Sequence, residues 1–470
     1  MSLIIPANTL ASGGFAVDNS LRFNRGSSDY LNRTPSSAGN RKTMTYSFWL
    51  KRSAIASTDY HWFSTGGAGA VPRSVMAFNS SEIYIAFNSS GSSWNEIFTN
   101  ALFRDVSAWY HVVVAIDTTQ STASNRTRIY VNGSEITSFR SASYVGQNTD
   151  LPNNNSSIPH FIGRNTLTGS SYFDGYIAEA VCIDGSQLDP TSFGEFDEDS
   201  GIWKPIDVSG LTFGTNGFYL DFEDSSALGN DANGSNNFTV NNIAATDQAT
   251  DTCTNNFATL NPLIYITNTG TTLSEGNNKI VTTASAHRNA FGTINVSSGK
   301  WYCEIKIDNL GGSHQKVGVS TIDNVEINKG TPSEFSDNAS GYAYRSDGQK
   351  EGGGGSTSSY GNSFTSGDTL GIAMDLTNLK LYFSKNGTFQ NSGNPESGAT
   401  GTGAAFSLAA GESYIFAINQ YGANTSSFNF GSPFFAISSG NTDGSGYGNF
   451  EYTVPSGYFS LNTKNLAEYG

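Results

Sequence analysis

Trp109-Tyr110-His111-Val112-Val113-Val114-Ala115-Ile116-Asp117, with Arg128-Ile129-Tyr130-Val131-Asn132-Gly133 behind it, is the passage from which the fold is read. Val112 to Ile116 is continuously apolar and mostly β-branched, the pattern of a strand covered on both faces. Asn132-Gly133 closes a second strand-like run, and Asn-Gly supplies the two positive-φ residues that a type I′ hairpin needs. The pattern recurs at Gly371-Ile372-Ala373-Met374-Asp375 and Leu381-Tyr382-Phe383-Ser384-Lys385-Asn386-Gly387. From Asp to Asn the spacing is 15 residues in the first passage and 11 in the second. The echo predicts two β-sandwiches of related topology.

Other runs agree. Glu82 to Phe87 alternates, with Ile83, Ile85 and Phe87 on one face. Thr45-Tyr46-Ser47-Phe48-Trp49-Leu50 reads as a further strand. The 470 residues include 52 Gly, 31 Phe and 22 Tyr, and only 14% are charged. Gly, Ser, Thr and Asn are poor helix-interior residues, while the aromatics suffice to fill cores, so the composition is that of an all-β chain and not a disordered one. The predicted organisation is an N-terminal arm (1–13), a first sandwich (14–247), a linker (248–275), a second sandwich (276–435) and a tail (436–470) that adds an edge strand. Asp251-Thr252-Cys253-Thr254-Asn255-Asn256 and the Asn261-Pro262 breaker mark the linker.

The net charge is −15 with no basic run, which argues against a phosphate-backbone partner. No stretch approaches the ~20 apolar residues of a membrane helix, so no membrane insertion is expected. The opening Met1-Ser2-Leu3-Ile4-Ile5-Pro6 lacks a basic region, so no secretion signal is expected. Cys182, Cys253 and Cys303 are odd in number and far apart, which favours small free thiols over a disulfide framework.

Ser20-Leu21-Arg22-Phe23, Asp29-Tyr30-Leu31, Ser47-Phe48-Trp49-Leu50-Lys51, Trp109 to Val112, Arg128 to Gly133, Phe161-Ile162-Gly163-Arg164 and Phe173 to Glu179 stand in an order that resembles a laminin-G-like (concanavalin A-like) jelly roll. Trp301-Tyr302-Cys303-Glu304, Val317-Gly318-Val319, Gly341-Tyr342-Ala343-Tyr344 with Asp347-Gly348-Gln349-Lys350, and Gly367 to Asp375 resemble a SPRY domain. The whole is similar to virion structural proteins of marine tailed phages, through Ala16 to Phe23, Thr191 to Asp197, Asn216 to Phe222, Asn255 to Pro262 and Leu461 to Leu466. That resemblance implies a virion location and a non-enzymatic tail-fibre or receptor-binding role, touching host-surface glycan or other virion proteins. Capsid decoration is the alternative. A symmetric homo-oligomer is implied, a trimer by analogy with fibres.

A glycoside hydrolase needs two carboxylates across the scissile bond. Glu195, Asp197 and Asp199 share one face if extended, neighbours about 6.6 Å apart. The retaining pattern with this fold, Glu-X-Asp-X-(X)-Glu, lacks its third Glu here, and the segment connects strands. A solvated acidic loop is the preferred reading. The resemblance also raises a calcium site, for which Asp29, Asp174, Asp197 and Asp199 are the available carboxylates; calcium takes six to eight oxygens. No other cofactor is expected, and the five histidines lack zinc spacing. For glycan stacking, Trp62 and Trp94 lie beside turn residues, with core packing as the competing and preferred reading. Tyr342, Tyr344 and Arg345 fall where a SPRY domain presents its partner-binding rim.

Overall fold

The computed structural model describes residues 14–55, 59–67, 72–89, 91, 93–166, 171–264, 270–283, 285–311, 314–324 and 334–470, so the expected 1–13 arm lies outside the described residues. Strand accounts for 42% of the residues against 8% helix, the all-β architecture expected. The chain divides between Thr254 and Asn255 into two compact units.

In the first unit, two eight-stranded antiparallel sheets face each other. The order in one runs from Thr127–Val131 through Trp109–Asp117, Thr43–Arg52 and Gly175–Asp184 to Ser20–Phe23. The other runs from Asn95–Thr99 through Glu82–Asn88, Arg73–Asn79, Asp59–Gly66 and His160–Ile162 to Tyr30–Arg33. The run Val112 to Ile116 behaves as its composition demands. Val112, Val114 and Ile116 enter the core between the sheets, while Val113 and Ala115 enter a second cluster with Phe193, Val208, Phe213 and Tyr219. Both faces of that strand are therefore dry, which is why it does not alternate.

The second unit pairs a nine-stranded sheet with a six-stranded one. The core of the larger is Asn424–Asn429, Lys300–Leu310, Thr369–Asp375 and Lys380–Lys385. The smaller orders His287–Phe291, Tyr414–Tyr421, His314–Thr321, Gly341–Arg345, Gln349–Gly352 and Ser356–Ser359. Both Asn-Gly turns take the left-handed backbone that a type I′ hairpin needs, with φ of 47° and 78° at Asn132 and Gly133, and 48° and 77° at Asn386 and Gly387.

Two expected boundaries are corrected. The 248–275 linker is largely folded in. Gln248–Ala249 pairs with Ser20 and Leu21, and the buried Asp251 carboxylate sits 2.6 Å from the buried Lys51 ammonium. Ala258 and Leu260 are core residues of the second unit, where Ala258 N donates to Leu461 O at 2.9 Å. The polar composition that marks a linker hides a carboxylate that neutralises a cation 200 residues away, a relation no local pattern carries. The tail strand is only Phe459–Ser460, which pairs in parallel with Trp301 and Tyr302. A helix over Thr463–Tyr469 follows, its N-terminus capped by the Asn462 side chain accepting from Asn465 N. The preceding segment is held by the buried Glu304 carboxylate, which accepts from Glu451 N at 2.9 Å and Tyr452 N at 2.8 Å. All three cysteines are free, and no helix among the described residues is long and apolar enough to cross a membrane.

Candidate functional site

The first-unit candidates are placed as follows. Trp62 is the extra residue of a β-bulge, since His61 and Phe63 pair with the adjacent Ala77 and Met76. The bulge turns the indole inward against Phe78, ring centroids 4.8 Å apart, and Trp62 is fully buried. A sugar has no access to it, which corrects that expectation. Trp94 is half-buried, with the Arg73 guanidinium 4.7 Å from its ring. Beside it, Phe98 is stacked on Tyr84 at 4.5 Å and covered by Arg140 at 4.4 Å.

Asp29 is buried and accepts from Asn24 N at 2.8 Å, while the Asp174 carbonyl accepts from Ser53 N at 3.0 Å. Asp197 organises its own turn: one carboxylate oxygen accepts from Ser200 N and Ser200 Oγ, both at 2.9 Å, and the other from Lys204 Nζ at 3.1 Å. Those hydrogen bonds, from Ser200 foremost, hold its carboxyl down at about 2. Asp199 is exposed at the tip, its N–H on Asp197. Among the described residues, no three of these four carboxylates share a cluster. Glu195 reaches the same Lys204 at 3.3 Å.

His111 sits in a buried stack between Trp49 and Trp203. Trp203 Nε1 donates to His111 Nδ1 at 2.8 Å, so the ring proton sits on Nε2 and donates to Ser47 Oγ at 2.7 Å. Burial pushes this histidine down to about 3. A neutral imidazole that donates to the serine is the wrong tautomer for a general base.

In the second unit the structure assembles a charged site on the outer face of the six-stranded sheet. Lys316, on His314–Thr321, carries a buried ammonium bonded to Glu334, and lies 2.6 Å from Glu351 Oε1. Ser336 Oγ donates to the same Glu351 oxygen at 2.6 Å, and Arg345 Nη1 lies 2.6 Å from Oε2. Burial works to raise the Glu351 carboxyl; hydrogen bonds from Lys316 and Ser336 outweigh it and leave it below its ordinary value. Arg345 also meets Asp347 at 3.0 Å, at the exposed rim, and His287 Nδ1 lies 3.1 Å from Glu334 Oε1. Glu334, Asp337 and Glu351 bring carboxylate oxygens within 4.8 Å of one another, but the Lys316 ammonium already supplies a cation to two of the three. Of the SPRY-rim residues, Arg345 therefore belongs to the site. Tyr344 does not: it is fully buried against Phe383 and Phe364, because the alternation of its strand turns it into the sandwich. Tyr342 shares that face and packs on Phe406 at 5.1 Å. Sequence reading missed Lys316, Glu334, Glu351 and His287. The available signal was Lys316 alternating with Gly318 against the core pair Val317 and Val319.

Comparison with known proteins agrees with this architecture. Residues 25–185 match the laminin-G-type model of the concanavalin A-like lectin/glucanases superfamily, and residues 300–433 match the SPRY domain. The chain thus carries a laminin-G/concanavalin A-like lectin domain followed by a SPRY domain. Similar solved structures include the SPRY domain of human HERC1, at 17% identity over 36% of this chain and 96% of that one, TM-score 0.29. A heptameric SAP-like pentraxin from Limulus polyphemus is 15% identical over 37% of this chain and 80% of that one, TM-score 0.28. The TRIM65 PSpry domain is 12% identical over 36% and 89%, TM-score 0.27. No curated protein matches the chain.

Proposed function

We propose that this chain is a non-enzymatic binding protein of two modules, the first contacting glycan and the second a protein partner. The observation that carries the reading is how its chemistry-bearing side chains are held. His111 donates to Ser47 instead of accepting, and Asp197 is fixed by Ser200 and Lys204. Strands and their ends meanwhile present the Trp94–Arg73 and Phe98–Arg140 pairs in the first unit, and the Arg345–Asp347 rim in the second. Planar aromatic and guanidinium groups on strands bind at low entropic cost. The finer reading, a tail-fibre or receptor-binding protein of a tailed-phage virion, rests on the sequence resemblance. Purified protein added to host cells should adhere and slow phage adsorption. Absence of both effects, with imaging of the chain on the capsid, would replace this reading by decoration. Turnover of host polysaccharide that is lost in Glu195→Gln would overturn the non-enzymatic assignment.

A further inference from the structure

Strand register places two rows side by side on the outer face of the second unit's six-stranded sheet. Phe291, Ala417, Gly318, Ala343 and Glu351 are successive cross-strand partners over five strands. Asn289, Asn419, Lys316 and Arg345 form the next row. The small residues at the centre of the first row leave a trough. A side chain at Gly318 is barred, because its Cβ would lie 1.9 Å from Tyr342 O. Phe335 packs here with Phe291, Ala343, Ile415 and Ala417, and is fully buried.

The groups around Phe335 treat it as a bound peptide. Its N–H donates to Asn289 Oδ1 at 3.2 Å, and its C=O accepts from Asn324 Nδ2 at 2.8 Å. Side-chain amides, not a strand ladder, take up its backbone. Glu334 on one side meets Lys316 and His287, and Ser336 on the other meets Glu351. The strand-borne floor also holds itself in place: Asn289 accepts from Asn419 Nδ2 at 2.7 Å, and Lys316 keeps Glu351 at 2.6 Å. Removal of Glu334-Phe335 would leave those bonds standing, so the trough is preorganised.

We propose that this trough is a recognition pocket for a peptide segment in which an acidic residue directly precedes an aromatic one. The chain fills it in cis with Glu334-Phe335, and a partner segment of the same chemistry takes it in trans. The trough supplies an apolar slot for the ring, amides for the backbone and the Lys316 ammonium for the acid. The proposal rests on the reading of the second unit as a binding module, and names the partner chemistry of its charged face.

The test uses the full chain and a synthetic peptide, Ser333-Glu334-Phe335-Ser336-Asp337-Asn338-Ala339, followed by calorimetry. Phe335→Ala vacates the slot, and should bind the peptide at least tenfold more tightly than the unaltered chain, whose own segment competes. Replacing Phe in the peptide by Ala, or adding Lys316→Met to the protein, should each cost tenfold or more. Glu334→Gln, which loosens the cis segment but keeps its ring, serves as the second background. A Phe335→Ala protein that melts cooperatively yet shows no heat with millimolar peptide overturns the proposal. Loss of folding in both variants overturns it too, since the segment would then be an indispensable part of the core. Peptide failure with host-cell adherence intact sinks the pocket alone; failure of both sinks the binding role as well.

Discussion

Asp251→Asn tests the folding-in of the stretch between the two sandwiches. Lys51 and Asp251 are each 1% exposed and 2.6 Å apart, and Trp109 Nε1 donates to the other Asp251 oxygen at 3.2 Å. The substitution keeps shape and an acceptor for Trp109, but removes the charge facing a buried ammonium. Removing one partner of a buried pair costs about 3–5 kcal/mol, because the other charge stays desolvated. With a urea slope of about 3 kcal/mol per molar, the midpoint should fall by more than about 1 M. Trp49, Trp62, Trp94, Trp109 and Trp203 all lie in the first unit and only Trp301 in the second, so tryptophan fluorescence reports the correct transition. The double variant Lys51→Met with Asp251→Leu should recover most of the loss, since an apolar pair of similar volume has no desolvation cost. A cost below about 1 kcal/mol for Asp251→Asn, or a double variant no better than the single, would refute the reasoning.

Two further outcomes are expected. Burial pushes the Glu179 carboxyl up to about 8, above its ordinary 4.5, while Tyr219 OH donates to it at 2.8 Å. A raised acid means the folded state keeps a proton that the unfolded chain releases. This group's contribution is therefore full below about pH 4.5 and is lost progressively as pH rises towards 8, with a slope approaching one proton, about 1.4 kcal/mol per pH unit. Glu179→Gln should remove that slope from first-unit melts; an unchanged pH profile between 5 and 8 would contradict it. Glu304→Ala leaves the Glu451 and Tyr452 amides without their shared acceptor, at about 2–4 kcal/mol, and should open the 436–455 segment to limited proteolysis. Resistance equal to that of the unaltered chain would show the segment is anchored elsewhere.

Much of the charged site was out of reach of the sequence for a physical reason. Arg345 and Asp347 are neighbours in sequence and legible as a rim pair. Lys316 and Glu351 meet only because the strand carrying Lys316 pairs with Gly341–Arg345, which in turn pairs with Gln349–Gly352, and Glu334 joins them from the turn before Phe335. The inward turn of Trp62 depends on one inserted residue: a bulge at His61 to Phe63 shifts the register, and no composition marks it.

By itself, the sequence determined what short-range physics controls. Alternation and β-branched runs specified strands, Asn-Gly specified the hairpins, and a low charge density with abundant aromatics specified two dry interiors. Tertiary structure alone decided which face of each strand is solvent. It also decided that Asp251 neutralises Lys51 and that Phe335 lies across the second sheet. Each depends on groups brought together by register across many intervening residues, and a carboxylate or a ring is worth nothing to stability until its distant partner is in place.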